Sequence, residues 1–132
     1  MSRKASFKNN PAMQSVRIFK TAWFAKEAGK AKIIDAELCS AIEQVMQGQA
    51  DDLGGGVYKK RLNNNMHRAI ILTKAGRYWV YAYLFAKNDR ENIAPDELAD
   101  FKKLAKFYAL KTETEIASEL RNKYLLEICH DC

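Results

Sequence analysis

Between Val57 and Ala86 the chain carries three strand-like segments separated by only two short polar turns. Val57 to Leu62 is the first. Asn63-Asn64-Asn65 follows, and asparagine both tolerates the left-handed backbone region and hydrogen-bonds its own main chain. His67 to Thr73 is the second segment, Lys74-Ala75-Gly76-Arg77 the next turn, and Tyr78 to Ala86 (YWVYAYLFA) a long aromatic run. Connections this short join antiparallel neighbours. The aromatic content of the last run marks it as a central strand.

Helical patterns lie on either side. Ser15 to Thr21 (SVRIFKT) alternates enough for a short strand. A short helix is expected from Ala22 to Ala28, broken by Gly29. A second runs from Asp35, as its N-cap, to Gln47, with Ile34, Leu38, Ile42, Val45 and Met46 as its buried stripe. Gly48 and Asp51-Asp52 lead into Gly54-Gly55-Gly56, which reads as a loop. It is not a phosphate loop, because no GK[ST] follows and the next element is a strand. Pro95 suits the first turn of a helix over Ala94 to Leu110, with Leu98, Phe101, Leu104, Ala105 and Tyr108 on its apolar face. Thr112-x-x-Glu115 is a capping box opening a last helix, with Ile116 and Leu120 inward. Leu125 to Cys129 suits a final short strand.

The order β-α-α-β-β-β-α-α implies an α+β fold, a small antiparallel β-sheet flanked by N-terminal and C-terminal helices. At 132 residues one domain is expected, spanning residues 15–132 behind a polar tail of residues 1–14. The simplest packing lays the helices on one sheet face and leaves the other face, or its rim, to carry charge.

That charge is concentrated in the meander. From Val57 to Arg90 eight basic residues stand against one acid, Asp89, a balance of +7, whereas the remaining 14 basic and 15 acidic residues nearly cancel. The basic set is Lys59, Lys60, Arg61, Arg68, Lys74, Arg77, Lys87 and Arg90. A basic sheet in an otherwise balanced chain points to a polyanionic partner, RNA first. A membrane-surface segment would more often show its charge along one amphipathic helix. No run approaches the ~18 apolar residues of a membrane span. The N-terminus lacks the apolar region of a secretory signal, so a cytoplasmic protein is expected.

Alternate strand residues share a face, so Lys59 and Arg61 point the same way. Arg68 lies just across the Asn turn, and Lys87 and Arg90 at the far end of the aromatic strand. Register is not readable from sequence. Such a cluster binds phosphates with strong salt dependence and stabilises the added negative charge of a phosphorane. RNA cleavage by its own 2′-OH then needs only a base and an acid, with no cofactor or metal. A lysine crowded by cations has a lowered pKa and can serve, as can His67. The plainer reading is a solvated strand face and a structural histidine.

Other features favour plain readings. Trp79, Tyr81, Tyr83 and Phe85 are expected on one strand face; they can stack bases, but such a row is more often core. Cys129-His130-Asp131-Cys132 has the CxxC spacing of metal and redox sites, yet sits at the chain end, where a frayed pair of thiols is the simpler reading. Cys39 reads as a small core residue. Three cysteines cannot all pair within one chain, which argues against a disulfide framework.

From about Val16 (VRIFKTAWFAK) to near the C-terminus, the ordered segments GGGVYKKRL, HRAII, YLFAKNDRENI, DEL and FKKLAKFY resemble the RelE superfamily of toxins from type II toxin–antitoxin modules. The resemblance is nearest to the RelE-like/HigB-like branch of cytotoxic translational repressors. It implies a small sheet flanked by helices with a basic concave site. It also implies ribosome-dependent cleavage of mRNA by Lys and Arg side chains rather than a metal, and a neutralising antitoxin, in this branch often a helix-turn-helix protein. By position the resemblance assigns catalytic roles to Lys59, Arg61, Arg68 and Lys87, with Arg90 in the same post-strand segment. His67 stands where many relatives carry Tyr, in Asn64-Asn65-Met66-His67-Arg68 instead of Ser-Gly-Gly-Tyr-Arg. Asn88 replaces a second Arg of RelE, and Ile93 a substrate-stacking Tyr. Lys60, Lys74, Arg77 and Arg90 are expected to contact RNA. The same resemblance admits a non-catalytic inhibitor like the ParE toxins that poison DNA gyrase, and the residues also admit an RNA- or partner-binding module without nuclease activity.

Overall fold

The computed structural model describes residues 16–129. The expected tail, residues 1–14, lies outside them. In chain order the elements are β1 (Arg17–Thr21), α1 (Ala22–Lys30), α2 (Asp35–Met46), β2 (Asp51–Gly54), β3 (Val57–Leu62), β4 (His67–Lys74), β5 (Tyr78–Ala86), α3 (Pro95–Ala109), α4 (Glu113–Arg121) and β6 (Leu125–Ile128). The fold is α+β, with one mostly antiparallel six-stranded sheet in the order β2-β3-β4-β5-β1-β6.

The meander forms as its turns dictate. Asn63, Asn64 and Asn65 all take positive φ, at 55°, 53° and 70°, a conformation asparagine adopts more readily than most residues. The second turn places Ala75 and Gly76 at φ 49° and 74°. β5 is interior. One neighbour is β4, antiparallel, and the other is β1, which runs parallel to it. The parallel contact works because α1, α2 and the meander intervene between the two strands, giving the chain room to cross over. β6 returns antiparallel to β1 and closes that side.

Local signals set most helix ends. The Thr21 hydroxyl accepts from the Phe24 N–H at 3.0 Å and caps α1. Thr112 and Glu115 form the expected capping box, with N–H donors at 3.1 and 2.8 Å from the opposing side-chain oxygens. Glu97 caps α3 by accepting from the Ala94 N–H at 2.7 Å. Two expectations are corrected. Gly29 does not break α1, which continues to Lys30, because burial of Phe24 and Ala28 outweighs the roughly 1 kcal/mol cost of a helical glycine. The N-cap of α2 is Ile34, with Asp35 in the first turn, where its carboxylate still complements the helix dipole.

The stretch expected as a loop before β3 contains β2, which pairs Asp51 with Lys59 and Asp52 with Tyr58. The Asp52 carboxylate accepts from the Gly54 N–H at 2.9 Å, turning the chain into the glycine corner.

Helices cover both sheet faces, not one. Phe24, Ala28, Leu38, Ala41, Ile42 and Val45 of α1 and α2 pack with Ile18, Leu62, Ala69, Ile71, Trp79 and Tyr81. Ala105 and Ile116 of α3 and α4 pack on the opposite face with Phe19, Val57, Ile70, Leu72, Tyr78, Val80 and Phe85. The aromatic row of β5 is therefore split. The register against β4 shifts between Ile70, opposite Tyr83, and Ile71, opposite Tyr81. The extra residue reverses the alternation. Trp79 and Tyr81 face α1 and α2, while Tyr83 and Phe85 face α3. Tyr81 is fully buried and donates to the Leu38 carbonyl at 2.6 Å. Burial holds its hydroxyl protonated far above the usual range.

Cys39 and Cys129 are joined by a disulfide, with Cα atoms 5.4 Å apart across 90 residues of sequence. This corrects the reading of Cys39 as a lone core residue and of Cys129 as a terminal thiol. Counting cysteines excludes a full framework but not a single bridge, and only the return of β6 beside β1 brings the two together. His130, Asp131 and Cys132 lie outside the described residues.

Candidate nucleic-acid interface

Strand alternation decides which cations share a surface. In β3, Val57 packs under α3 while Tyr58 and Leu62 pack on the α2 side. Lys59 and Arg61 therefore project to the α3 side and Lys60 to the other. In β4, Ile70 and Leu72 face α3 and Ala69 and Ile71 face away. Arg68 accordingly stands on the α3 side and His67 on the opposite one.

The register completes the surface. Arg61 pairs directly with Arg68, and Arg68 with Phe85, across three strands. The next row is Lys59, Ile70 and Tyr83. Lys87 joins from the end of β5, where its N–H donates to the Met66 carbonyl at 2.9 Å. Arg90 lies over the Phe85 ring at 5.6 Å.

Three of these cations are held in place. The Lys59 ammonium donates to the Asn92 side-chain oxygen at 3.2 Å and lies 3.7 Å from the Asp51 carboxylate. Arg68 donates to the carbonyls of Asn65 at 3.0 Å and His67 at 3.1 Å. Arg90 forms a bidentate pair with Glu97, one arm at 3.1 Å, and donates to the Asn92 carbonyl at 2.9 Å. That pair raises the Arg90 pKa and holds the Glu97 carboxyl below its usual value. Arg61 and Lys87 are exposed, and their side chains have no hydrogen-bond or carboxylate partner among the described residues. Two unneutralised cations beside three anchored ones make a surface ready to receive an anion.

The other expected residues lie elsewhere. Lys60 donates to the Gln49 carbonyl at 3.1 Å on the far face, and burial, then the charge of Arg61, lowers its pKa. Lys74 and Arg77 sit at the opposite end of β4 from Arg68, about 20 Å along the strand at ~3.3 Å per residue. Lys74 there lies 5.5 Å from the Tyr78 ring centroid. His67 Nδ1 is 3.1 Å from the Asn63 amide nitrogen. Its side chain lines a cleft of ≈ 270 Å³ with Glu27, Lys30 and Asp89. Among the described residues, no three His, Cys, Asp or Glu side chains gather as metal ligands.

Sequence reasoning missed Trp23, Asn92 and Glu97. Trp23, in the first turn of α1, stacks on Tyr83. Asn92 and Glu97 orient Lys59 and Arg90. The one available signal was the spacing of Arg90 and Glu97 around the start of a helix.

The structure is thus a small α+β domain with a cationic cluster at one end of its sheet. The family model described as RelE toxin of the RelE / RelB toxin-antitoxin system matches residues 16–128. The chain belongs to that RelE family, and an antitoxin is its partner. No curated protein and no solved structure matches the chain. No helix among the described residues is long and apolar enough to cross a membrane.

Proposed function

We propose that this toxin is a ribosome-dependent endoribonuclease that cuts translated mRNA and so inhibits translation in the cytoplasm. The observation that carries the reading is the Arg61–Arg68 pair, flanked by Lys59 and Lys87, with Arg61 and Lys87 lacking acidic partners among the described residues. Arg61 and Arg68 bind the scissile phosphate and stabilise the charge that builds on it as the 2′-OH attacks. Lys59 and Lys87, the lysines of the same surface, carry the proton transfers in this reading. His67 projects from the opposite sheet face, so the proton-transfer role passes from it to the lysines. The partner that neutralises it is, in this reading, an antitoxin of the helix-turn-helix type. Primer extension on cellular mRNA after induced expression tests the reading: codon-phased cuts are expected, and Arg61→Ala abolishes them. Intact mRNA in growth-arrested cells would refute nuclease action.

The separation of His67 from the arginine pair favours one other reading, a non-catalytic inhibitor of DNA gyrase on the same fold. A supercoiling assay with purified protein distinguishes them: inhibition without mRNA cleavage selects the gyrase reading.

A further inference from the structure

We propose that Trp23 and Tyr83 form a stacking platform for a nucleobase of single-stranded RNA, next to the arginine pair. This inference rests on the RNA-binding reading above and adds a site that reads the base rather than the phosphate. Trp23 is 45% exposed, although indole is among the side chains that gain most from burial. One of its faces is already occupied. The Trp23 and Tyr83 rings are nearly parallel, 16° apart, with centroids at 5.0 Å.

The platform is stiff. Tyr83 is backed by Phe101 of α3 at 5.7 Å and by Phe85 at 6.0 Å. The N-terminal end of α1 that carries Trp23 is fixed by the Thr21 cap and by the Ala22 N–H, which donates to the Tyr124 carbonyl at 3.0 Å. An exposed ring held this firmly loses little entropy on taking a partner. The bulge in β5 is what turns Tyr83 toward this surface; without it Tyr83 would share the buried face of Tyr81.

Position identifies the ligand. Phe85 is the register partner of Arg68, and Tyr83 lies two residues before it on the same side. Arg90 sits over Phe85 and adds a cation between ring and phosphate sites. A flat apolar ring beside a row of cations is the pattern that binds a base and its neighbouring phosphate together, tolerant of sequence because every base has a π-face.

The test uses the full chain and two short, end-labelled oligomers of equal length and charge: an oligoadenylate and its abasic ribose-phosphate counterpart. Anisotropy reads affinity and tryptophan emission reads stacking. Trp79 is buried, so quenching reports Trp23. The oligoadenylate is expected to bind about tenfold tighter than the abasic oligomer and to quench emission. Trp23→Ala removes that preference while leaving abasic binding unchanged. Trp23→Phe retains most of the preference but loses the quenching. Equal affinity of the wild-type protein for both oligomers overturns the platform and leaves the cationic RNA surface standing. A preference that survives Trp23→Ala also overturns it. Failure of both oligomers to bind overturns the platform and the RNA-binding reading together.

Discussion

Arg61 and Arg68 face each other as direct register partners across β3 and β4, two like charges with no carboxylate between them. Such a pairing is destabilising in a sheet. Arg68 tolerates it by donating to the Asn65 and His67 carbonyls, whereas Arg61 has no such anchor among the described residues. The two variants should therefore separate function from stability. Arg61→Ala is expected to relieve growth arrest while raising stability by about 0.2–1 kcal/mol. Arg68→Ala should relieve arrest equally, but the loss of its turn hydrogen bonds, about 1 kcal/mol, offsets the relieved repulsion and leaves it less stable than Arg61→Ala. Denaturant melts alongside an expression-toxicity assay check both; a large loss of stability for Arg61→Ala would contradict the account.

The salt dependence of RNA binding counts the phosphate contacts. Arg61→Ala and Lys87→Ala should each flatten the slope of log K against log salt by about 0.7, the release expected per contact with a single strand. Lys74→Ala and Arg77→Ala, at the far hairpin, should leave it unchanged. Equal effects from all four would mean a diffuse charge cloud rather than a site.

Glu97 both pairs with Arg90 and caps α3, and Arg90 is the first cause of its depressed pKa. A carboxyl with a folded value below its unfolded one contributes stability above the unfolded value, near the usual 4.5. That contribution is lost as pH falls through the folded value. Glu97→Gln should thus be less stable than the parent at neutral pH, with the difference closing on the acid side of 4.5. Thermal melts across that range measure it, and a gap independent of pH would assign the effect to the cap alone.

The Cys39–Cys129 bridge closes 90 residues. Loops of that size gain about 2–4 kcal/mol from a native disulfide. Reduction, or Cys129→Ser, should lower the denaturation midpoint accordingly, and reductant should then have no further effect on the variant. A parent midpoint indifferent to reductant would exclude a stabilising role.

Ala75 holds φ 49° in the β4–β5 turn, a region that costs a residue with a Cβ roughly 1 kcal/mol. Ala75→Gly should raise stability by about 0.5–1 kcal/mol in equilibrium denaturation. No change would indicate that the turn relaxes in solution.

The order of elements was readable because each carries its own local signal: the Asn run, the capping box at Thr112, Pro95 at the start of α3, and the 3.6-residue stripe of α2. The faces were not. A single extra residue in β5, unmarked by any glycine or proline, reverses the side on which Tyr83 and Phe85 stand. β2 is four residues long and half acidic, so only its pairing with β3 defines it. Lys59 and Arg61 were rightly placed together by alternation alone, and their juxtaposition with Arg68 needed the register. His67 was drawn to the site by its neighbour in sequence, yet adjacent residues in a strand look in opposite directions. Trp23 lay outside every pattern because its partner is 60 positions away.

The seating of β1 between β5 and β6 has a consequence for the order in which this molecule comes into being. Ile18 and Phe19 are made well before their sheet neighbours, Trp79 and Val80 and then Glu127 and Ile128. Pairings this distant in sequence are slow to form. β1 therefore waits without a sheet partner until β5 is made, and its second edge stays open until β6 follows. The meander that carries Arg61 and Arg68 needs neither β1 nor β6, so its cationic face forms before the sheet around it is closed.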